Sequence, residues 1–249
     1  MRRWLQELLA AFQFLTQLPL PSGVDFQPDA LSRSAKFFPV VGLVVGLGAS
    51  LLFHLLSPHV SRVLTALLIV TYLVLVTGGL HEDGLADAAD GFGGGWKREQ
   101  ILTIMRDSRI GSFGAIALVL SLFARCLLLS ALPATHFMAF VVSAQVLCRW
   151  TTLPLSYFLR PARENDGQGA RIAQKVSGAS LVIGTLVTLA IIFYALRKAF
   201  WIPLLVSSVI SCLSAIYYSR RIGGVTGDCF GATNQLTEIA VYLCGVWSV

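Results

Sequence analysis

Three aspartates in a short stretch rich in glycine and alanine are the clearest candidates for chemistry. Asp83, Asp87 and Asp90 stand at positions i, i+4 and i+7, and at about 100° per residue they fall on one face of a helix. Like charges stacked in this way repel one another, and a divalent cation would relieve that repulsion. Oxygen ligands without paired Cys or His favour Mg²⁺ over zinc. The sequence therefore predicts that these three carboxylates hold Mg²⁺ for a phosphate-bearing substrate, with an acidic turn at a helix N-terminus as the alternative.

Two further residues beside this face need a separate interpretation. His81 could donate to phosphate, act as an acid or base, or orient Asp83, and it joins the three aspartates as a catalytic candidate, with a purely structural role as the alternative. Glu82 projects about 100° away from Asp83 on the helix and is a weaker ligand candidate.

The segment after Gly93-Gly94-Gly95 carries the opposite charge. Arg106 and Arg109 are three residues apart, with Asp107 between them. Basic side chains near a metal–carboxylate cluster would hold phosphate oxygens and stabilise the charge that develops during transfer. Arg106, Asp107 and Arg109 are therefore predicted substrate contacts. The alternative is that these cations bind anionic lipid or set the membrane topology.

A second polar segment, residues 220–232, contains four glycines. Glycines allow backbone N–H groups to approach an anion closely, so the predicted substrate contacts here are Gly224, Thr226, Gly227 and Asp228. Asp228 could add a metal ligand or bind a ribose. A flexible connector is the alternative, because a single glycine-rich loop is weak evidence.

The elements that position these residues belong to a membrane protein. Hydrophobic residues make up 55% of the 249 residues and charged residues only 13%, with a mean hydropathy of +0.73. A soluble domain has about 25% charged residues. We therefore predict a single all-α, polytopic membrane-embedded domain over residues 1–249. The five cysteines form no CxxC pair, so we expect neither a disulfide framework nor a zinc site.

Six stretches have the roughly 20 apolar residues that a spanning helix needs: 37–57, 62–80, 110–132, 136–158, 177–196 and 200–218. Segment 4–20 is amphipathic and interrupted by Pro19, which predicts an interfacial or re-entrant helix. The tail 236–249 leaves a seventh span open. Arg125 and Arg149 fall inside predicted spans and must face the bundle interior or water. Arg149 is a predicted phosphate contact. Pairing with an Asp, or snorkelling near a helix end, is the alternative for both arginines.

Most of the 19 Lys and Arg residues lie in the N-terminus and in the 81–109, 159–176 and 219–235 loops. The positive-inside rule places these segments in the cytoplasm and accounts for the net charge of +6 without a nucleic-acid partner. All the long glycine-rich sequence is on this face, which favours a catalyst or binder that works on a cytoplasmic ligand at a lipid surface.

Together these motifs resemble the cobalamin synthase family, adenosylcobinamide-GDP ribazoletransferase. The likeness runs in order through Phe38-Pro39-Val40-Val41-Gly42 with Gly46, Gly78-Gly79-Leu80-His81-Glu82-Asp83-Gly84-Leu85-Ala86-Asp87 through Asp90-Gly91, Ile104-Met105-Arg106-Asp107-Ser108 with Gly111, Arg149-Trp150, and Gly223-Gly224-Val225-Thr226-Gly227-Asp228 with Gly231-Ala232. Two positions depart from the family pattern. Gln17 stands where relatives often carry Arg, and Glu82 occupies a position that is often apolar.

The resemblance implies the last assembly step of the nucleotide loop of vitamin B12, at the cytoplasmic face of the bacterial inner membrane. A hydroxyl of α-ribazole, or of its 5′-phosphate, attacks the cobinamide-linked phosphorus of adenosylcobinamide-GDP, and GMP leaves. Mg²⁺ is implied as the cofactor. The three aspartates would hold the ion against the diphosphate, and a carboxylate or His81 would take the proton. The oligomeric state stays open.

Two other functions compete with this interpretation. A CDP-alcohol phosphotransferase-like enzyme of phospholipid synthesis would also place carboxylates at helix ends. Asp87-Ala88-Ala89-Asp90-Gly91 matches the start of that signature, but the residues that should follow are missing. A divalent-cation transporter would place its carboxylates near the middle of a span, whereas here they lie at the end of one.

Overall fold

The computed structural model describes residues 3–19, 28–163 and 176–247, and it confirms the all-α prediction for this part of the chain. Its α-helices are α1 (Arg3–Leu15), α2 (Pro28–Ser34), α3 (Phe38–Leu56), α4 (Arg62–Thr77), α5 (Leu80–Gly94), α6 (Arg98–Ile104), α7 (Ser112–Ala131), α8 (Phe137–Trp150), α9 (Thr152–Phe158), α10 (Gly178–Leu196), α11 (Trp201–Ile222) and α12 (Gly227–Trp247). Short 3₁₀ helices precede α3 and α11. One isolated parallel pairing joins Pro161 to Val225.

The membrane character of the chain is confirmed by its helix lengths and apolarity. Four segments are long and apolar enough to cross a membrane: Leu31–Leu56, Ser112–Ala131, Phe137–Phe158 and Gly178–Ile222. A fifth is added if α4 and α5, which are bent by 88°, form one broken span. The predicted spans 177–196 and 200–218 both lie within the 45-residue segment Gly178–Ile222, so they are counted once. The number of six or seven spans stays a prediction.

Several predicted boundaries were wrong. The amphipathic segment 4–20 is helical only over Arg3–Leu15, and residue 20 lies outside the described residues. The expected 81–109 loop is largely the helices α5 and α6, and the helix predicted for the three aspartates is part of α5. The expected 219–235 loop shrinks to the four residues between α11 and α12. Of the 159–176 loop, residues 164–175 lie outside the described part.

The C-terminal tail forms the second half of α12 rather than a separate element. Residues 236–247 of the predicted segment fall within Gly227–Trp247, and residues 248–249 are not described. Helix α12 carries polar residues such as Asn234 and Glu238 that are buried in the bundle. It packs mainly against α5 and α8, so it forms part of the protein interior.

Helix α8 lies at the centre of the bundle, where glycines let α3 approach it. A Cβ atom at Gly42 would collide with the Gln145 backbone, and one at Gly46 would lie 2.8 Å from the Val142 Cα. Small residues four apart are a common device for close contact between membrane helices. The five cysteines, including buried Cys148, are free thiols.

Two consecutive glycines turn the chain between α4 and α5. Gly78 and Gly79 have φ angles of 65° and 70°, in the left-handed region that a side chain disfavours. They end α4 and begin α5 with the 88° bend. The bend directs the acidic helix α5 against α7 and α12, and this positions the site.

Candidate functional site

Two of the three predicted aspartates meet at one open cleft. Asp83 is exposed and Asp87 is half-buried, and both line a cleft of about 790 Å³. The other walls come from α1, the glycine bend and the segment before α7, with contributions from Gln13, Gln17, Gly78, Gly79, Ser108 and Ile110. The cleft therefore joins two of the segments that the sequence motifs single out, the glycine–aspartate stretch and the segment that contains Ser108.

Asp90 turns away from this cleft and contacts the start of α7. Its Oδ2 accepts a hydrogen bond from the Gly111 N–H at 2.7 Å, and its Oδ1 accepts one from the Gly114 N–H at 2.9 Å. The first N–H groups of a helix have no partner within the helix and favour a carboxylate. The alternative considered for the acidic residues, a carboxylate at a helix N-terminus, thus describes Asp90. The metal role of Asp90 stays a prediction that this contact does not favour.

The donor set still suits a magnesium ion, although the described residues do not form a complete protein cage. Among these residues, no group of three His, Cys, Asp or Glu side chains is arranged to hold a metal. Mg²⁺ in phosphoryl-transfer sites is usually held by only one or two carboxylates together with the substrate phosphates. Asp83 and Asp87 provide such a pair beside an open cleft. The residues therefore fit Mg²⁺ bound jointly by protein and substrate.

Electrostatic repulsion is concentrated at Asp87. Its half-buried carboxylate is repelled by three other carboxylates, those of Asp83, Asp228 and Asp90, and is attracted by Arg163. Negative charges gathered in this way are costly without a cation. The cost is the physical reason to expect a positively charged partner in the cleft.

Asp228 joins the acidic site from the first turn of α12. Thr226 caps this helix, because its Oγ1 accepts a hydrogen bond from the Cys229 N–H at 3.3 Å, and its hydroxyl lies 3.2 Å from Asp228 Oδ2. Helices α5 and α12 touch where both lack side chains, since a Cβ atom at Gly84 would lie 3.1 Å from the Gly231 Cα. The glycines thus bring Asp228 next to the acidic face of α5.

A second, smaller cavity shares Asp83 with the large cleft. It has a volume of about 190 Å³. Its polar lining includes His81, Asp83, Thr152 and Asp228, and its apolar lining consists of Phe14, Leu15, Phe38, Leu80 and Phe230. Gly227, another predicted substrate contact, also lines it. Asp83 lines both cavities and so lies at their junction.

His81 is buried at the small cavity with one ring nitrogen unused. Only 7% of the residue is exposed, and its Nε2 has no hydrogen-bond partner in the described chain. Buried polar atoms are nearly always hydrogen-bonded. An unpartnered nitrogen that lines a cavity therefore indicates a ligand or solvent partner. The catalytic role of His81 stays a prediction.

Comparison with known proteins identifies the family of the chain. The profile of the family described as cobalamin-5-phosphate synthase matches residues 7–246. The chain belongs to this family. Relatives named adenosylcobinamide-GDP ribazoletransferase are 41% identical in Azorhizobium caulinodans, over 98% of this chain and 96% of the relative, and 38% identical in Sinorhizobium medicae, over 96% and 95%. The relative of that name in Vibrio cholerae is 33% identical over 98% and 94%. No solved structure matches the chain.

Membership in the cobalamin-5-phosphate synthase family confirms the resemblance drawn from the motifs and makes the chain a cobalamin synthase enzyme. Because the match extends over nearly the whole chain, it favours this function over the CDP-alcohol phosphotransferase and transporter alternatives.

The basic segment of this cobalamin synthase lies at the rim of the large cleft. Arg106 and Arg109 are both exposed, and Arg109 is paired with Asp107 at 2.6 Å. Hydrogen bonds from the Arg109 side chain and backbone lower the pKa of Asp107 to about 2. Neither arginine lines the cleft, whereas Ser108 and Ile110 do. Substrate contact by Arg106, Asp107 or Arg109 thus stays a prediction.

Three other predicted substrate contacts, Thr226 among them, line neither cavity. Arg149 is only 1% exposed, and its guanidinium donates to the Gln145 side chain at 2.7 Å. Gly224 is pressed against the 160–162 backbone, because a Cβ atom there would lie 3.0 Å from the Ala162 nitrogen. A structural reason therefore exists for each residue, and their contact with substrate remains a prediction.

A buried ionic network links α5 to α7 and α12. The sequence alone did not predict it. Arg125 donates to Glu82 at 2.6 Å and to Glu238 at 3.0 Å. Gln235 also donates to Glu82, and Tyr242 donates to Glu238. An arginine inside an apolar segment must find a partner, so the few acidic residues of the chain, Glu82 and Glu238 among them, were the available signal. Glu82, the unusual acid next to Asp83, is explained by this pairing.

Helix α1 was predicted as an interfacial element, yet it also forms a wall of the site. Phe14 lines both cavities, and Gln17 lines the large one. Gln17 is fixed in place, because its backbone N–H donates to the Val76 carbonyl at 2.8 Å. The amphipathic pattern of α1 was the only signal in the sequence, and it does not say what its apolar face covers.

Proposed function

We propose that this cobalamin synthase joins adenosylcobinamide-GDP to α-ribazole, or to its 5′-phosphate, and releases GMP. The support comes from the family match, from relatives named adenosylcobinamide-GDP ribazoletransferase, and from two adjoining cavities that share an acidic junction. The product is adenosylcobalamin or its 5′-phosphate, so the reaction completes the nucleotide loop of vitamin B12.

The observation that carries the proposal is the position of Asp83. A transferase that joins two substrates must hold both reacting groups against each other. Asp83 lines the large cleft and the small cavity at once. The large cleft has the size expected for a nucleotide-bearing ligand, since ligand pockets commonly measure about 300–1,000 Å³.

In the proposed reaction one P–O bond forms, one P–O bond breaks, and one proton moves to a side chain of the site. An acceptor hydroxyl oxygen attacks the cobinamide-linked phosphorus, and a new P–O bond forms. The P–O bond to GMP breaks, and its electron pair leaves with GMP. The acceptor proton passes to Asp83 or to His81, which both line the small cavity beside the cleft. Proton transfer to a positioned base typically contributes about 10²–10⁴-fold to the rate.

Mg²⁺ completes the proposed site. Asp83 and Asp87 would hold the ion, and Asp228 is a further carboxylate that acts electrostatically on Asp87. When bound, the ion supplies charge neutralisation at the diphosphate. The side chains of Asp83 and Asp87 orient the donor, and the apolar residues around the small cavity exclude water from the acceptor.

A membrane location suits these substrates. The corrinoid donor is bulky and amphiphilic, and the cavities lie among helices that are apolar enough to cross a membrane. We propose that the protein lies in the bacterial inner membrane with its site open to the cytoplasm. The strong bias of Lys and Arg towards the segments around the site supports this orientation.

Release of GMP tests the proposal. Protein purified in detergent is incubated with Mg²⁺, adenosylcobinamide-GDP and α-ribazole, and GMP and the corrinoid product are quantified by chromatography. We expect GMP and cobalamin in equal amounts, with neither formed when α-ribazole is omitted or Mg²⁺ is chelated. Failure to form GMP with the complete mixture, while the protein stays monodisperse, would reject the proposed function.

A further inference from the structure

The two cavities differ in volume, and the difference decides which part of a ligand each can hold. The large cleft has a volume of about 790 Å³ and the small cavity one of about 190 Å³. Pockets for drug-sized ligands measure about 300–1,000 Å³. The small cavity is below that range, so it accommodates a fragment such as a two-ring aromatic base and excludes a corrinoid.

The lining of the small cavity favours a flat aromatic group. The rings of Phe14 and Phe38 are stacked with their centroids 5.9 Å apart and their planes at 14°, and both residues line the cavity together with Phe230. Gly84 of α5 and Gly231 of α12 also line the cavity and add no side chain to it. Aromatic side chains around an open slot are a common platform for base stacking.

One buried polar atom in this lining has no partner. His81 is more than nine-tenths buried, it lines the cavity, and its Nε2 makes no hydrogen bond in the described chain. A base with a single free ring nitrogen would satisfy this one atom. Leaving it unsatisfied costs free energy, because buried polar groups need partners.

We infer that the small cavity binds the bicyclic aromatic base of the acceptor nucleoside. The inference rests on the proposed function and adds the place where its second substrate binds. The base would lie among Phe14, Phe38 and Phe230, with its free ring nitrogen towards His81. The sugar would then extend towards Asp83, at the opening to the large cleft where the donor diphosphate binds.

The guanine of the donor is the competing occupant. Guanine carries an exocyclic amine, a ring N–H, a carbonyl and further ring nitrogens, and each needs a partner when it is buried. The ribazole base has one free ring nitrogen and otherwise apolar edges. Because the large side chains of this cavity are mainly apolar, the ribazole base is the better match.

The experiment separates the two substrates by kinetics. Phe230→Leu removes a ring and keeps an apolar side chain of similar volume, so we expect the fold to be retained. The KM for α-ribazole should rise about tenfold or more, as for loss of a base-stacking ring, while the KM for adenosylcobinamide-GDP stays within about twofold. The matched control is Phe193→Leu, a change at an exposed phenylalanine of α10 that lines neither cavity, and it should leave both KM values unchanged.

A second measurement on the wild type does not depend on any variant. Free dimethylbenzimidazole, the base of α-ribazole, should inhibit competitively against α-ribazole and not against adenosylcobinamide-GDP. The inference is overturned if Phe230→Leu raises the donor KM instead, or leaves both unchanged, or if the free base competes with the donor or does not inhibit. The proposed function fails separately, if the wild type releases no GMP at all.

Discussion

Removal of the buried arginine between α5, α7 and α12 should strongly destabilise the protein. Arg125 is 1% exposed and contacts Glu82 and Glu238 at 2.6 and 3.0 Å, and the side chains of these glutamates are 11% and 3% exposed. Arg125→Met fills similar space but leaves two carboxylates without their cation. Breaking a buried ion pair by removing one partner costs about 3–5 kcal/mol. At about 2–4 °C per kcal/mol for a chain of this length, Tm should fall by about 6–20 °C.

The assay is thermal unfolding of detergent-purified protein, followed by intrinsic fluorescence. Arg109→Met is the matched control, because Arg109 also pairs with an aspartate but is exposed, and its Tm should not change. The triple variant Arg125→Met, Glu82→Gln, Glu238→Gln should recover much of the lost stability, since replacing a whole buried ionic group is often neutral. The reasoning is refuted if Arg125→Met melts like the control, or if the triple variant is no more stable than Arg125→Met.

Three further predictions concern the site and its supports. Asp87→Asn should reduce GMP release at least about 100-fold by weakening the bound cation, with an unchanged elution profile on size exclusion, whereas Arg62→Ala should leave turnover intact; near wild-type turnover of Asp87→Asn would contradict the metal assignment. Gly84→Val should abolish activity and lower Tm, because even a Cβ atom would lie 3.1 Å from the Gly231 Cα, and a stable, active variant would show that α5 and α12 need not touch. Burial raises the pKa of Glu7, but Lys36 and Arg3 outweigh it and lower the pKa below 4.5. The wild type should therefore have a higher Tm than Glu7→Gln, and this advantage should be full above about pH 5. It should disappear as the pH falls below the lowered pKa. If the Tm difference between the wild type and Glu7→Gln instead grew as the pH fell, the lowered pKa of Glu7 would be contradicted.

The acidic site could be predicted from the sequence because its signal is local. Asp83 and Asp87 are four residues apart, and helical periodicity alone places them on one face, so their meeting at one cleft follows from spacing. The glycines could be recognised as points of close approach or left-handed backbone. The membrane character followed from composition and run length.

The position of Asp90 and the pairing of Arg125 depend on contacts between residues far apart in the chain. Helical periodicity places Asp90 within about 60° of Asp87, but only the position of α7 decides that Asp90 binds the N–H groups of Gly111 and Gly114. The pairing of Arg125 with Glu82 and Glu238 likewise joins three separate helices. Sequence reasoning could say that Arg125 needs a partner, but not which one.

The segments predicted as cytoplasmic loops show a different limit of prediction from composition. Charge and glycine content suggested a cytoplasmic loop between two spans over residues 81–109, yet most of this stretch forms the helices α5 and α6. The large fraction of Gly and Ala in α5 lets neighbouring helices come close, and packing of this kind outweighs weak helix propensity. Polar composition alone therefore does not separate a loop from a functional helix inside a membrane protein.

The central claim is that Asp83 and Asp87 bind a divalent cation together with the donor diphosphate. Mn²⁺ in place of Mg²⁺ can be counted by electron paramagnetic resonance in protein purified in detergent, with and without adenosylcobinamide-GDP. We predict that the donor strengthens Mn²⁺ binding in the wild type and that this gain is lost in Asp83→Asn, Asp87→Asn protein of normal Tm. Equal Mn²⁺ affinity in the wild type and the double variant, in the presence of the donor, would contradict the claim.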